Sequence, residues 1–550
     1  MLRPLLVSLA AVGLALCVPR PGFAKAVLAT VVPSESGSSA PAGEPITGGP
    51  AGSRAGAAAK DRRQSVEALR QKLDELLQDK PLAQTHIGVV VVDARDGEVL
   101  FEHNADRPFN PASNTKILAT AAALSRLGVD YRYATRLHGP LPDDDGVIHG
   151  SVELRGSGDP SLGTIGLADL ARGVAERGIT RIDGDLLADG RFRDAREPRA
   201  TFGGGALIFN KNTFTIHVRP TQNKKPASVS LDPGSPDFVS LVNKVTTVRR
   251  GKSRIKVAMD RRDGRYVATV KGRVNLRAEE RIKQHIDDSA WLTATLLKRA
   301  LADFGVKVKG SVKSGGVAGD APALAEHRSA PLADICRIAN KDSNNFVADT
   351  IFKTLGREVY GAPASLDKGI RAVDEEMPKL GLAAGSYKIV NGSGLTHENR
   401  IAPAALAQLL RNLLTDLSVA PEFVSSLAVG GIDGTIKSRF RGDDVGRVRA
   451  KTGTLSNVSA LSGYVGLQGE VLVFSILVDD FNNRKLEEVR YAQNRMVREM
   501  LAWMRADKLR RAGQSGAAAP PVDEVLPTDS SDDGEPVDDE TEESDDPGGG

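Results

Sequence analysis

Residues 110–128 read NPASNTKILATAAALSRLG, and the fold turns on what Ser113 and Lys116 do within that run. A serine followed three positions later by a lysine is a nucleophile with its own base if both sit on one face of a helix. It is a helix cap and a surface charge otherwise. The pattern recurs at Ser253/Lys256 and Ser365/Lys368, and the last even repeats the approach as PASLDK. Ser253 and Lys256 lie in an alternating, strand-like stretch, where side chains three apart point to opposite faces. Ser365 opens a polar helix, SLDKGIRAVDEEM, and reads as its N-cap. Ser113 opens a helix that is almost entirely apolar, so its start should be embedded in a domain, with the Lys116 amine beside the Ser113 hydroxyl. Burial would lower the lysine pKa enough to make it a base.

Two motifs further along are each unique in the chain: Ser343-Asn344-Asn345 in KDSNNFVAD, and Lys451-Thr452-Gly453 in VRAKTGTLSNVSALSGYV. Either alone is ordinary, a loop that hydrogen-bonds itself or a charge on a strand. The order serine–lysine, then Ser-x-Asn, then Lys-Thr-Gly is the signature of penicillin-binding proteins and class A β-lactamases. That order excludes Ser365, which follows the second motif.

Working outward, Val66, Leu69, Leu73, Leu76 and Leu77 recur at helical spacing over 62–79. IGVVVVDARDGEVLFE then reads as two strands joined around Asp96-Gly97. From about 134 to 320 short β-type runs are broken by Gly, Asp and Pro. Helical patterns return at SAPLADICRIANKDSNNFVADTIFKTLG and APAALAQLLRNLLTDL. Strands are expected near 447–452, 459–467 and 471–479, then a final helix over EEVRYAQNRMVREMLAWMRA. Similar elements at both ends of a long insertion suggest one α+β domain assembled from two distant segments.

On these motifs, and on LRGSGDPSL, NGSGLTHENRIAP and VGGIDGTIKSRF, the chain resembles low-molecular-mass, class C penicillin-binding proteins of the D-alanyl-D-alanine carboxypeptidase/endopeptidase type over about residues 62–505. The 226 residues between Lys116 and Ser343 suit a class that carries extra domains there. Asn391 and Asp349 stand where such proteins usually have Asp and Glu. The resemblance implies an α+β fold, a serine β-lactamase/DD-transpeptidase-like antiparallel sheet flanked by helices, with β-rich inserted domains. Composition and resemblance together divide the chain into a signal peptide (1–24), an unfolded linker (25–61), peptidase segments (62–134 and 322–508), an insertion (135–321) and an unfolded acidic tail (509–550). The resemblance also implies roles. Ser113 attacks the carbonyl between two terminal D-alanines and Lys116 takes its proton, with Lys451 keeping Lys116 neutral by repulsion. Ser343 relays a proton to the leaving amine, and Asn345 holds the substrate backbone. Lys451, Thr452 and Thr454 meet the terminal carboxylate, and the backbone N–H groups of Ser113 and Thr454 form the oxyanion hole. Expected partners are peptidoglycan stem peptides ending in D-Ala-D-Ala, and β-lactams as covalent inhibitors.

Two other readings remain at this point. A β-lactamase is disfavoured by the long insertion and the absence of a Glu-x-x-Leu-Asn segment, and a catalytically silent peptidoglycan-binding protein by the complete set of motif residues. No cofactor or metal is expected: the eight histidines form no His-x-x-x-His or His-Glu-x-x-His pattern. Arg3, an apolar run of roughly fourteen residues and GFA before Lys25 read as a cleaved leader, too short for the roughly twenty residues that span a bilayer. The protein is therefore expected to be exported, to a periplasm or the outer face of the envelope. Cys17 lies in that leader, which leaves Cys336 alone in the mature chain. The segment from Gly513 onward holds 13 acidic residues and no Lys or Arg. The remainder has 57 acids against 73 bases, an excess of 16 positive charges. Such a body suits polyanionic surroundings or loose association with a membrane surface. Export and an aromatic content of 4% argue against nucleic acid.

Overall fold

The computed structural model describes residues 51–189, 205–234, 239–262, 265–317, 320–467 and 469–514. The leader, most of the linker and nearly all of the acidic tail lie outside the described residues. Those from Ala59 onward belong to one compact unit.

Its centre is a six-stranded antiparallel sheet, in the order Ala428–Val429, Val448–Leu455, Val458–Leu467, Glu470–Asp479, His86–Asp93, Val99–His103. His86–Asp93 turns through Gly97 (φ 81°) into its hairpin partner. On its other edge it pairs with Glu470–Asp479, Val90 facing Ser475. One sheet thus joins segments from both ends of the chain. The VVVV run suits a strand covered on both faces. Val90 and Val92 pack with the helices Thr115–Leu127, Leu332–Lys341, Asn345–Tyr360 and Pro403–Thr415. Val89 and Val91 pack against Leu69, Leu73, Met496 and Met500 of the first and last helices.

The first helix, Ala51–Leu77, starts within the stretch expected to be an unfolded linker, and the last, Leu486–Gln514, runs past residue 508 into the expected tail. The first extension, AGSRAGAAAKD, holds five alanines and the second, LRRAGQ, two arginines, strong helix formers that propagate a helix already nucleated by packed leucines. Trp503 Nε1 donates to Ser65 O at 3.0 Å and ties the two helices together.

The inserted region has its own core, confined to residues 137–325. Its entry and exit strands, Ala134–His138 and Ala323–Arg328, pair antiparallel within a five-stranded sheet. Three three-stranded sheets and the helices Thr164–Glu176 and Ser289–Asp303 complete it. Reading this region as strands alone missed those helices. Each buries a helical stripe, Leu167, Leu170 and Val174 in one, Leu297 and Leu301 in the other.

Candidate active site

Ser113 sits on a short 3-10 turn, Ala112–Asn114, that runs directly into the helix Thr115–Leu127. Ala112 has φ 44°, a left-handed conformation that costs a residue with a Cβ about 1–3 kcal/mol. Two hydrogen bonds hold it: Ala112 N donates to Asn110 Oδ1 at 2.8 Å, and Thr115 Oγ1 donates to Ala112 O at 2.8 Å. Asn114, fully buried, donates to Ser462 Oγ at 2.8 Å. Two glycines let other backbone press against this turn. A Cβ on Gly453 would lie 2.5 Å from Pro111 O, and one on Gly394 would lie 1.9 Å from Ala112 O. The glycine of Lys-Thr-Gly is therefore a close-approach residue, which brings the strand Val448–Leu455 against the serine.

Lys116, one helical turn beyond Ser113, is fully buried. Its Nζ donates to Ser113 Oγ at 2.9 Å, Asn345 Oδ1 at 2.7 Å and Ser393 O at 2.6 Å. Burial pushes this amine down to about 7, against the pull of the Asp349 carboxylate. Asp349 lies four residues after Asn345 on the helix Asn345–Tyr360, so both face Lys116. Burial raises its carboxyl to about 6, a rise limited by hydrogen bonding to Ser393 and by Lys116. Ser393 N donates to Asp349 Oδ1 at 2.7 Å. Ser393 is thereby held at both ends, its N–H by the carboxylate and its C=O by the lysine.

The second lysine is arranged in parallel. Lys451, also fully buried, donates from Nζ to Ser343 Oγ and to Thr452 O, both at 2.9 Å. Ser343 occupies the joint between the helices Leu332–Lys341 and Asn345–Tyr360 with φ 54°. Asn344 caps the second of these, its side chain accepting from Val347 N at 3.0 Å. Burial, then repulsion from Lys116, pushes the Lys451 amine well below its ordinary value. Burial is the leading cause for both lysines, and the repulsion between the two amines acts on each of them.

Five of the seven expected residues thus form two groups. Ser113, Lys116 and Asn345 are linked directly, as are Ser343 and Lys451. Thr452 and Thr454 lie on the more open side of the same strand. Thr452 Oγ1 donates to Thr435 Oγ1 at 2.7 Å, and Arg490 Nη2 donates to Thr454 Oγ1 at 3.1 Å. The rival serine–lysine pairs fall apart. Ser365 Oγ caps its helix by accepting from Lys368 N at 3.4 Å, and Lys368 Nζ turns back to Gly361 O and Pro363 O. Ser253 Oγ accepts from Asn275 N at 3.1 Å, with Lys256 exposed on a neighbouring strand. Cys336 is buried and unpaired. No cluster of three metal-ligating side chains occurs among the described residues.

Sequence reasoning missed Ser393, Thr435 and Arg490, and the part that Asp349 plays. NGSGLTHENRIAP and Asp349 had drawn notice, but a backbone carbonyl carries no side-chain signature and an acid on a helix has many uses. Thr435 and Arg490 reach the site only through tertiary packing.

This geometry agrees with what the chain resembles as a whole. A D-alanyl-D-alanine carboxypeptidase from Actinomadura sp. (strain R39) is 34% identical over 441 residues, 74% of this chain and 80% of that one. The D-alanyl-D-alanine carboxypeptidase DacB of Haemophilus influenzae is 24% identical over 77% of this chain and 90% of its own length. The fold matches the crystal structure of penicillin binding protein 4 (dacB) from Haemophilus influenzae with a TM-score of 0.63 at 21% identity, covering 80% of this chain and 99% of that one. Residues 69–500 match the model of the D-Ala-D-Ala carboxypeptidase 3 (S13) family, and the chain belongs to that family of serine-type hydrolases.

Proposed function

We propose that Ser113 is the nucleophile of a D-alanyl-D-alanine carboxypeptidase and/or endopeptidase acting on peptidoglycan, and that Lys116 is its base. The reading rests on one observation: Lys116, held near neutrality by burial, bonds Ser113 Oγ from one side and Asn345 from another. In the neutral amine a lone pair replaces one of those donors and accepts the serine proton. Ser113 Oγ then bonds to the carbonyl carbon of the penultimate D-alanine. Charge on the carbonyl oxygen is taken by the N–H groups of Ser113 and Thr454, each worth about 3–4 kcal/mol. The tetrahedral adduct collapses, the C–N bond breaks, and the Ser343 hydroxyl, bonded to Lys451, gives its proton to the departing amine and regains one from the Lys116 ammonium, which returns Lys116 to the free base. Asn345 holds the substrate backbone, while Lys451, Thr452 and Thr454 meet its terminal carboxylate. Water, deprotonated by the same lysine, cleaves the ester and restores Ser113. A β-lactam carries the same carbonyl and acylates Ser113, but its leaving amine stays tethered, so the ester is slow to hydrolyse.

The division into peptidase segments 62–134 and 322–508 around an insertion at 135–321 belongs to this proposal and is supported by the separate core of residues 137–325. So do export by the leader 1–24 and a loose attachment to the envelope surface. Among the described residues no helix is long and apolar enough to cross a membrane.

Fluorescent-penicillin labelling of the parent, Ser113→Ala and Ser365→Ala tests the assignment. Loss of label in Ser113→Ala alone is expected. A folded parent that takes no label would yield to the silent binding protein, and rapid turnover of the drug to a β-lactamase.

A further inference from the structure

One face of the inserted region does nothing in this chemistry. The strands Val239–Val248, Arg265–Asn275 and Arg254–Arg262 form a three-stranded sheet whose inner side buries Val245, Ala268, Val270 and Val274. Its outer side alternates with them. Register places Lys256 opposite Lys271, and Lys271 opposite Lys244, so three lysines cross the sheet in one row. The adjacent row sets Arg254 opposite Arg273. All five are exposed, and none forms an ion pair among the described residues. Asp260 is the one acid on this side of the described sheet.

Like charges directly opposite each other destabilise a sheet. Here the repulsion runs through two successive rows, in a position where threonine or glutamate would remove it. A counter-charge supplied from outside cancels that cost. We propose that this face binds a linear, phosphate-bearing polymer of the cell envelope. The envelope setting rests on the proposed function; the polyanion chemistry does not. An extended ligand fits better than a single ion, because the rows lie on the exposed outer side of the sheet and their charges repeat about every 5 Å across the strands. A membrane surface fits less well. The outer side carries only Ala258 and the valines 242, 248 and 267 as apolar residues, with no aromatic or leucine to enter the interface.

The test uses the full chain and fluorescently labelled long-chain inorganic polyphosphate, with binding followed by anisotropy at several salt concentrations. The parent is expected to bind saturably and to weaken steeply with salt, as counterion release requires. The triple variant Lys244→Ala, Lys256→Ala, Lys271→Ala should bind at least about tenfold more weakly, with a shallower salt dependence. A variant losing three exposed charges elsewhere (Arg63→Ala, Arg177→Ala, Lys307→Ala) should stay within about twofold of the parent. Penicillin labelling should be unchanged in both, so a failed binding test is distinct from a failed active-site assignment. Equal losses in the two variants would overturn the proposal in favour of net charge alone. Tighter binding to phosphatidylglycerol vesicles than to polyphosphate would transfer the face to the membrane. A parent that ignores the polymer while cross-linking these lysines to acids in 515–550 would give the face to the chain's own tail.

Discussion

Replacing Asp349 with asparagine isolates what sets the base. The buried carboxylate stabilises the ammonium form of Lys116, so its charge raises that pKa, and removing the charge must lower it. In the parent, with Lys116 at about 7, half the amine is a free base at pH 7 and roughly a tenth at pH 6. An opposite charge at close range is worth about one pKa unit or more. In Asp349→Asn the amine should then be half free at about pH 6, a roughly fivefold gain in competent enzyme there and less than twofold at pH 7. The amide oxygen still accepts from Ser393 N, so Ser393 and the third hydrogen bond of Lys116 are kept. The shape of the profile changes too. Asp349 at about 6 titrates alongside Lys116, so the parent's acid limb belongs to both groups, whereas the variant's should fit a single proton. Second-order acylation rates with a fluorescent penicillin, taken from about pH 5 to 9, measure both features. An acid limb that stays put or moves to higher pH would refute the reasoning, because burial would then not be opposed by Asp349. Asp349→Ala, which also drops the acceptor for Ser393 N, should lower the plateau rate throughout.

Further consequences follow from particular residues. Lys116 has a folded-state pKa below its unfolded value, so the unfolded chain binds more protons between about pH 7 and 10.5, and this group's contribution to stability rises with pH across that window. Lys116→Met should therefore gain most in melting temperature relative to the parent below pH 7, with the gap closing towards pH 10.5; the full span is on the order of 5 kcal/mol. Gly453→Ala places a methyl against Pro111 O and should cost about 1–3 kcal/mol, with acylation slowed tenfold or more because the strain falls on the nucleophile's turn. Ser365→Ala should cost about 1 kcal/mol through the lost helix cap and leave penicillin labelling intact. Cys336, buried and with its thiol pushed up by that burial, should react with a thiol reagent only at the rate of unfolding.

The parts of this molecule legible in its sequence are those governed by local rules. The hairpin at Asp96-Gly97, the helix after Ser113 and the pairing of Ser113 with Lys116 each follow from spacing within a few residues. The change in texture from about 134 to 320 coincides with a separate hydrophobic core over 137–325. Where long-range packing decides, the sequence was silent. Nothing near Ser343 says that its partner is Lys451, 108 residues away. Nothing in NGSG says that a carbonyl there completes the lysine's hydrogen bonds. The helices at 164–176 and 289–303 were hidden because short apolar stripes among β-type runs satisfy either period.

The pairing of His86–Asp93 with Glu470–Asp479 imposes an order on how the chain matures. A ribosome delivers the first of these strands long before the second, and four of the six strands in the central sheet come from beyond residue 427. The inserted region needs no such wait, because its entry and exit strands pair with each other and close its core by residue 328. Long-range pairing of this kind is slow to form. Lys451 arrives on one of the late strands, so its bond to Ser343 must form after the insertion has had its chance to fold. A truncated chain ending anywhere before 448 lacks that lysine altogether, and an interrupted synthesis releases a product that cannot assemble the second serine–lysine pair.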